Sequence, residues 1–407
     1  MKKKIVKYNK FLSYESDSLK MEEVSLDGIA KVIKTPVYCY SVSQIKYNFK
    51  ELKKSFSNCK PLICYAVKAN FNKNIIKILG QLGAGADVVS MGELKQCLKN
   101  GISKKKIVFS GVGKTSEEIK FAVKNQIKQI NVESEEELQE VIEICKKLKK
   151  KIDVGLRVNP NVDAQTHKKI STGRFEDKFG IPETKIISIF QRFKNNGYVD
   201  INCVSIHIGS QIKSLSPFEL AFKKLRNLIL NLQKNSFTLK SIDIGGGVGI
   251  IYNDKKDKIF TIYNYVKLIE KYFADFKTQI ILEPGRFLVG ESGVILSKVI
   301  RIKKGENKTF LIIDAGMNNF IRPSLYSSDH QIFPVKNKKT KQKYEVVGPI
   351  CESSDIFKKN FLMSELKQND LIVILSAGAY GSCMSSRYNL RNEAKEVLID
   401  GKNFFGI

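Results

Sequence analysis

The sequence predicts an α/β protein: a (β/α)8 barrel of the TIM type in the N-terminal half, followed by an all-β domain. Three observations lead there. Eight short β-branched runs alternate with seven longer amphipathic segments between about residues 60 and 290. A glycine cluster, Gly245, Gly246 and Gly247, follows the seventh run. After Arg286 the helical period gives way to strand-like runs. An open doubly wound sheet also alternates, but its glycine-rich phosphate loop follows the first strand. Barrels often bind phosphate with the loops after strands seven and eight, which favours the barrel.

The elements follow in chain order. The first forty or so residues hold one strand-like run, IAKVIKTPVYCYS, which could join either part; residues 1–37 are expected to cap or pair with the β domain. The barrel strands are expected at 62–67, 86–89, 107–110, 129–132, 154–158, 204–208, 241–244 and 280–283, each short and rich in Ile and Val. Helices are expected between them at 74–82, 92–100, 116–125, 134–150, 182–195, 217–233 and 260–276, from their amphipathic spacing. Beyond Arg286, the runs VGESGVILSKVIRIKK, KTFLIIDAG, KYEVVGPIC, DLIVILSAGAYG and EVLIDGKN carry little helical period. The expected domains are therefore a barrel at 38–286, and a barrel- or sandwich-like β domain made of 287–407 with 1–37. A chain of 407 residues is long enough for two or three separate cores.

Charge narrows the function classes. Sixty-nine Lys and Arg against 41 Asp and Glu give a formal net charge of +28. The lysines are spread along the chain in runs such as KKK at 104–106 and KKLKKK at 146–151. No aromatic residues interleave with them as a stacking platform for single strands would require, and no nucleic-acid recognition motif appears. The excess reads as solvated surface with general anion attraction, so no specific nucleic-acid partner is expected. A nucleic-acid binder remains a rival, and it predicts affinity falling steeply with salt.

The eight cysteines show neither CxxC nor zinc-ligand spacing, so neither a disulfide scaffold nor a metal site is expected. MKKKIVKYNKFLSYESD has no continuous apolar core, and no stretch approaches the roughly 20 apolar residues of a membrane span. A cytoplasmic protein without a membrane partner is the expectation.

Four groups of residues carry candidate chemistry. Lys68, in YAVKAN, stands at the end of the first barrel strand, the face that holds barrel active sites; partial desolvation there lowers an amine's pKa toward a nucleophile. Gly245–Gly247 lets backbone N–H groups approach an anion. Glu283-Pro284-Gly285-Arg286 adds a carboxylate and a guanidinium after the eighth strand. His207, in HIGSQ, is expected at the end of strand six, where an imidazole can stack on a planar ring; His167 reads as a loop residue and His330 as part of a polar stretch.

YAVKAN, GADVVSMGEL, STGRFEDKFGI, HIGSQ, DIGGGVG, EPGR, DAGMNNFIRPSLY, GPICESSD and AGAYGSCMSSRYN, in this order over roughly residues 35–400, resemble the diaminopimelate decarboxylases, pyridoxal-phosphate enzymes with an alanine-racemase-type barrel. The resemblance implies pyridoxal 5'-phosphate as cofactor, with Lys68 as the Schiff-base lysine. It implies that Gly245, Gly246, Gly247 and Gly285, with Ser210, lie at the cofactor, that His207 stacks on its ring, and that Glu283 pairs with the ring nitrogen. Arg286, Arg322 and Tyr326 are implied to hold the distal carboxylate and Glu352 the distal ammonium, with Arg286 and Tyr380 serving the cofactor as well as the substrate. Cys351 is implied to be the proton donor; a thiol, with an unperturbed pKa of about 8.5, can act as an acid near neutrality. Cys351 and Glu352 are implied to come from the neighbouring subunit of a homodimer with shared active sites. Asp87, Ser90, Glu93 and Lys178 match the family without an assigned role beyond structure.

The implied reaction is decarboxylation of meso-2,6-diaminopimelate at its D-centre to L-lysine and carbon dioxide, the last step of lysine biosynthesis. Paired arginines suit it, because a substrate lacking the distal carboxylate leaves buried guanidinium groups unpaired. The alternative on the same fold is a decarboxylase of another basic amino acid or of a carboxylated polyamine precursor.

Overall fold

The structure, a computed structural model, describes residues 3–5, 7–164, 166–170 and 172–407. Ser171, the first residue of STGRFEDKFGI, and residues 1, 2 and 6 of the N-terminal segment lie outside the described residues. Two compact units are present, one formed by 49–249 and 259–285, the other by 1–48, 250–258 and 286–407.

In the first unit eight parallel strands close into a barrel: β1 Leu62–Ala66, β2 Gly85–Val88, β3 Ile107–Phe109, β4 Gln129–Val132, β5 Ile152–Asn159, β6 Val199–Ser205, β7 Ser241–Asp243 and β8 Gln279–Leu282. Closure is direct: β8 pairs with β1 through Ile281 and Leu62, and β4 pairs with β5 through Ile130 and Val154. The connecting helices form for local reasons. Ser90, Thr115 and Ser134 each precede a helix and accept a hydrogen bond from the backbone N–H of a Glu three residues on, at 3.2, 3.3 and 3.1 Å. Each helix then buries a stripe at helical spacing, such as Leu138, Val141 and Cys145 on Glu135–Leu148.

Inside the barrel the packing is partly polar. Gln129, Asn131, Asp243 and Asp87 are buried, and their side chains bond to one another and to neighbouring strands: Gln129 Nε2 donates to Asn131 Oδ1 at 2.8 Å, and Asn131 Nδ2 donates to Asp243 Oδ2 at 3.1 Å. Buried polar groups of this kind persist only when bonded.

One strand differs from expectation. β6 was expected at 204–208 but runs from Val199 to Ser205, so that His207 stands two residues beyond the strand. The chain leaves the ladder there because Gly209, at φ 147°, turns it toward the glycine loop after β7, where Ile212 N–H donates to Gly247 O at 2.9 Å.

The second unit is built around the long strand Gly293–Lys304, with neighbours in the order Ile356–Ser364, Lys341–Val347, Thr309–Ile313, Gly293–Lys304, Val37–Ser41, Lys395–Asp400, Asn403–Gly406. Leu371–Ile374 pairs with the same long strand and with Ile332–Pro334. A small four-stranded sheet from the N-terminal segment packs on this one: Leu12, Leu19 and Met21 share a buried core with Val294, Leu296, Val373 and Val397.

The units divide at points other than 37/38 and 286/287. Val37–Ser41 is hydrogen-bonded between Gly293–Leu296 and Lys395–Ile399, so this fully buried strand belongs to the β unit, and residues 250–258 return to it as well. The β unit also contains the helix Leu26–Val32, whose Leu26 and Ile29 are buried. Strand Ile356–Ser364 was not anticipated, because Lys358 and Lys359 interrupt its apolar alternation. Among the described residues no helix is long and apolar enough to cross a membrane.

Candidate active site

At the C-terminal end of β1 the chain enters a single 3-10 turn, Val67–Ala69, which carries Lys68. Its Nζ bonds to Asp87 Oδ2 at 2.8 Å; the Asp87 carboxylate, at the end of the neighbouring β2, is fully buried, and its Oδ1 has no hydrogen-bond partner. Glu93 lies one helical turn further on, its carboxylate accepting Val89 N–H at 2.8 Å, and burial pushes its pKa up to about 7. Asp87, Ser90 and Glu93 thus have places: ion-pair partner of Lys68, helix N-cap, and acceptor for the turn between them.

Glu283, just beyond β8, is held from the barrel interior. Ser110 Oγ donates to its Oε1 at 3.3 Å, and Asn131 Nδ2, which bonds Asp243, also lies 3.2 Å from Ser110 Oγ. Burial, reinforced by the nearby carboxylates of Asp243 and Asp87, raises the Glu283 pKa well above its usual value, and Glu283 is hydrogen-bonded to Asp243. Asp243 in turn accepts Gly245 N–H at 3.0 Å, which fixes the start of the glycine loop. Gly246 N–H donates to His207 Nδ1 at 3.2 Å, and burial together with Arg157 and Lys68 lowers the His207 pKa well below its usual value. The imidazole is neutral, with its proton on Nε2.

The glycines are required by space. A Cβ on Gly246 would stand 2.2 Å from Glu283 O, and one on Gly247, which has φ 107°, would stand 2.6 Å from Gly209 O. The HIGSQ and GGGVG loops therefore lie backbone against backbone, which brings the Ser210 loop beside Gly247. Ser210 N–H itself donates to Ile170 O. At Gly285 a Cβ would press on Ala66 and Ala69, the residues that flank the Lys68 turn.

The β unit holds a second cluster. Arg286 and Arg322 are both 4% exposed, and three phenols surround their guanidinium groups. Arg286 Cζ lies 4.8 Å from the ring centre of Tyr380 and 5.8 Å from that of Tyr252; Arg322 Cζ lies 5.4 Å from Tyr252, 5.4 Å from Tyr326 and 5.8 Å from Tyr380. Tyr380 takes a left-handed backbone, φ 54°, rare for an aromatic residue and a mark of a constrained position. Burial and the like charge of Arg286 pull the Arg322 pKa down, and the phenols oppose this. Two buried cations facing electron-rich rings make a site for an anion, carboxylate above all.

Cys351 and Glu352 stand on an exposed turn of the same unit. Asp355 shapes the turn by accepting Met317 N–H at 2.7 Å and Ile350 N–H at 2.8 Å. Asn389 Oδ1 accepts Cys351 N–H, and Tyr388 and Ser354 donate to Glu352 at 2.6 and 2.8 Å, which lowers the Glu352 pKa and keeps it ionised.

Residues 42–290 match the family model described as the pyridoxal-dependent decarboxylase, pyridoxal binding domain. Over 397 residues, 97% of this chain and 93% of the relative, the sequence is 43% identical to the diaminopimelate decarboxylase of Aquifex aeolicus (strain VF5). The chain belongs to the diaminopimelate decarboxylase family. The fold agrees with two solved structures of that family. The Helicobacter pylori enzyme complexed with L-lysine superposes with a TM-score of 0.90 at 40% identity, covering 93% of this chain and 95% of that one. The M. jannaschii enzyme in co-complex with L-lysine gives 0.93 at 34% identity, covering 98% and 94%.

As a diaminopimelate decarboxylase family member the chain is a carboxy-lyase that uses pyridoxal phosphate, and its barrel residues fit that group. Lys68 offers an amine beside a buried carboxylate with one unpartnered oxygen, the glycine loop packs backbone against backbone with no room for a Cβ, and Glu283 is a buried carboxyl at the end of β8.

Sequence reasoning missed Ser110, Asn131, Asp243, Tyr252 and His330. The first three had a readable signal: polar residues within or at the ends of otherwise apolar barrel strands. His330 was read as part of a polar stretch, yet it is 2% exposed, its ring centre 4.4 Å from that of Tyr252 and its Nδ1 bonded to Leu375 O.

Proposed function

We infer that this protein decarboxylates meso-2,6-diaminopimelate at its D-centre, giving L-lysine and carbon dioxide, the closing step of lysine formation. The observation that carries the substrate is the pair of buried guanidinium groups of Arg286 and Arg322. A diamine brings no anion to this buried cationic pair, and Arg322, whose Nε has no hydrogen-bond partner among the described residues, favours a substrate with a distal carboxylate.

The roles divide accordingly. Lys68 would hold the cofactor covalently, with Asp87 fixing its amine; the loop from Gly245 through Gly247, with Gly285 and Ser210, would line it; and His207, neutral, would stack on its ring. Glu283 would pair with the ring nitrogen. The bound cofactor supplies a sink for the electron pair that the departing carboxylate leaves behind. Arg286, Arg322 and Tyr326 would take the distal carboxylate, while Tyr380, with Arg286, would also meet the cofactor. Glu352 takes the distal ammonium, and Cys351 delivers the proton that replaces the lost carboxylate.

Cys351 and Glu352 act in the site of a second copy, which makes the enzyme a homodimer with shared sites. Supporting this, their turn bonds to Tyr388 and Asn389, and Tyr388 and Leu390 are 45% and 95% exposed, an apolar surface of the kind a partner covers. A reducing cytoplasm suits its eight free thiols.

Purified protein supplied with pyridoxal phosphate and meso-diaminopimelate should release carbon dioxide and lysine in equal amounts, and Lys68→Ala should lose both turnover and the cofactor's visible absorbance. Absence of turnover, or faster turnover of ornithine or arginine, refutes the substrate. A retained absorbance in the variant refutes the lysine.

A further inference from the structure

We propose that Tyr252 is a specificity-determining residue, which sets the two guanidinium groups in register for the substrate's carboxylate and donates its own phenolic hydrogen to it. The proposal rests on the reading of Arg286 and Arg322 as the carboxylate site. Tyr252 is 6% exposed and its ring faces both arginines, Arg286 at 5.8 Å and Arg322 at 5.4 Å. Arg286 Nη1 also donates a hydrogen bond to the Tyr252 hydroxyl oxygen. That bond uses an oxygen lone pair, and since a guanidinium cannot accept, the phenolic O–H points elsewhere. An anion between the arginines is its natural acceptor. Tyr252 thus has its ring against both cations and its hydroxyl oxygen bonded to one of them.

Its surroundings hold it there. Tyr252 N–H and Asn253 N–H both donate to Asp257 Oδ2, at 2.9 and 3.0 Å, which closes the turn. Asn253 Nδ2 donates to Asp329 Oδ2 at 2.8 Å, and the residue after Asp329 is His330, whose ring packs on Tyr252 at 4.4 Å and on Phe320 at 4.7 Å. Two neighbouring residues of one segment therefore grip two neighbouring residues of the other. The His330 imidazole is neutral and turned by its Nδ1–H donation to Leu375 O at 2.8 Å, which leaves Nε2 as a lone pair without a partner; it supports the ring without adding a third cation. His330 is accordingly a positioning residue that acts through Tyr252.

The test compares Tyr252→Phe, His330→Asn and Arg322→Gln with the wild-type holoenzyme, reading kcat and KM for meso-diaminopimelate and inhibition by pimelate, a dicarboxylate of the same length. Tyr252→Phe keeps the ring against the guanidinium groups and loses the donated hydrogen bond. It should raise KM and the pimelate inhibition constant about 10- to 100-fold, the range for one hydrogen bond to a charged group, with kcat changed less than about threefold and cofactor absorbance kept. His330→Asn, which retains the phenol but loosens it, should raise both constants about three- to tenfold. If Arg322→Gln raises KM while both other variants match the wild type, Tyr252 has no such role. If Arg322→Gln itself leaves KM and pimelate inhibition unchanged, the carboxylate reading fails, and this proposal with it. A fall in kcat with KM and pimelate inhibition unaltered in Tyr252→Phe also overturns the assignment.

Discussion

Glu93 gives the most direct physical test of the barrel mouth, because its carboxylate is pushed up to about 7 from the usual 4.5 by burial. A carboxyl whose pKa is raised on folding binds more protons folded than unfolded between those two values. Its contribution is fully present below about pH 4.5 and is lost as the pH rises through 7. About 2.5 units at 1.36 kcal/mol each set an upper bound of roughly 3.4 kcal/mol. Partial solvent access reduces this to about 2 kcal/mol, which in a unit of this size shifts Tm by roughly 4–8 °C. Glu93→Gln keeps an oxygen to accept Val89 N–H and removes the titration. Thermal unfolding of cofactor-stripped wild type and variant, scanned in parallel from pH 4 to pH 8.5, should show the variant gaining on the wild type by that amount, mostly between pH 4.5 and 7. A difference between the two that is flat with pH would falsify the claim that burial dominates this carboxyl.

Two further outcomes follow from the barrel. Gly246→Ala places a Cβ 2.2 Å from Glu283 O and should cost at least about 3 kcal/mol with loss of bound cofactor, whereas Gly113→Ala, with nothing within 4 Å of its Cβ, should unfold within about 0.5 kcal/mol of the wild type; equal Tm values for both would show that the loop yields freely. Asn131→Ala deprives Asp243, Ser110 and Gln129 of a buried partner and should destabilise by about 2–4 kcal/mol, read by denaturant unfolding; a change under 0.5 kcal/mol would mean that water replaces the amide.

The sequence made the barrel legible because its strands are short, β-branched and separated by helices with clear caps. Helix Ser116–Asn125 lies where the period put it, since Thr115 and Glu118 form a reciprocal cap that fixes its start. Lys68, the glycine loop and EPGR were legible because they occupy strand ends, where backbone direction alone dictates which way a residue faces. The β6 boundary was not: the apolar run through Ile206 and Ile208 continues past the point where Gly209 turns the chain, and composition does not record a turn. Tyr252 was invisible for a different reason. It follows the seventh barrel strand in sequence, yet residues 250–258 belong to the β unit, and its importance comes from Arg286, Arg322 and His330, all distant in the chain. Polar Asn131 and Asp243 were overlooked because each was read as part of a strand and not as a group needing a partner.

Val37–Ser41 lies between Gly293–Leu296 on one side and Lys395–Ile399 on the other, every residue buried. A ribosome delivers this strand before any of the barrel and its last neighbour after all of it. The barrel, whose ladders join successive segments apart from its closing pair, can complete itself during synthesis, while VYCYS waits with its backbone unpaired and Tyr38 and Tyr40 uncovered. The nascent chain thus carries a sticky edge until residues 293–296 emerge, and the lysines at 31, 34 and 46 around it are well placed to keep waiting copies apart by mutual repulsion.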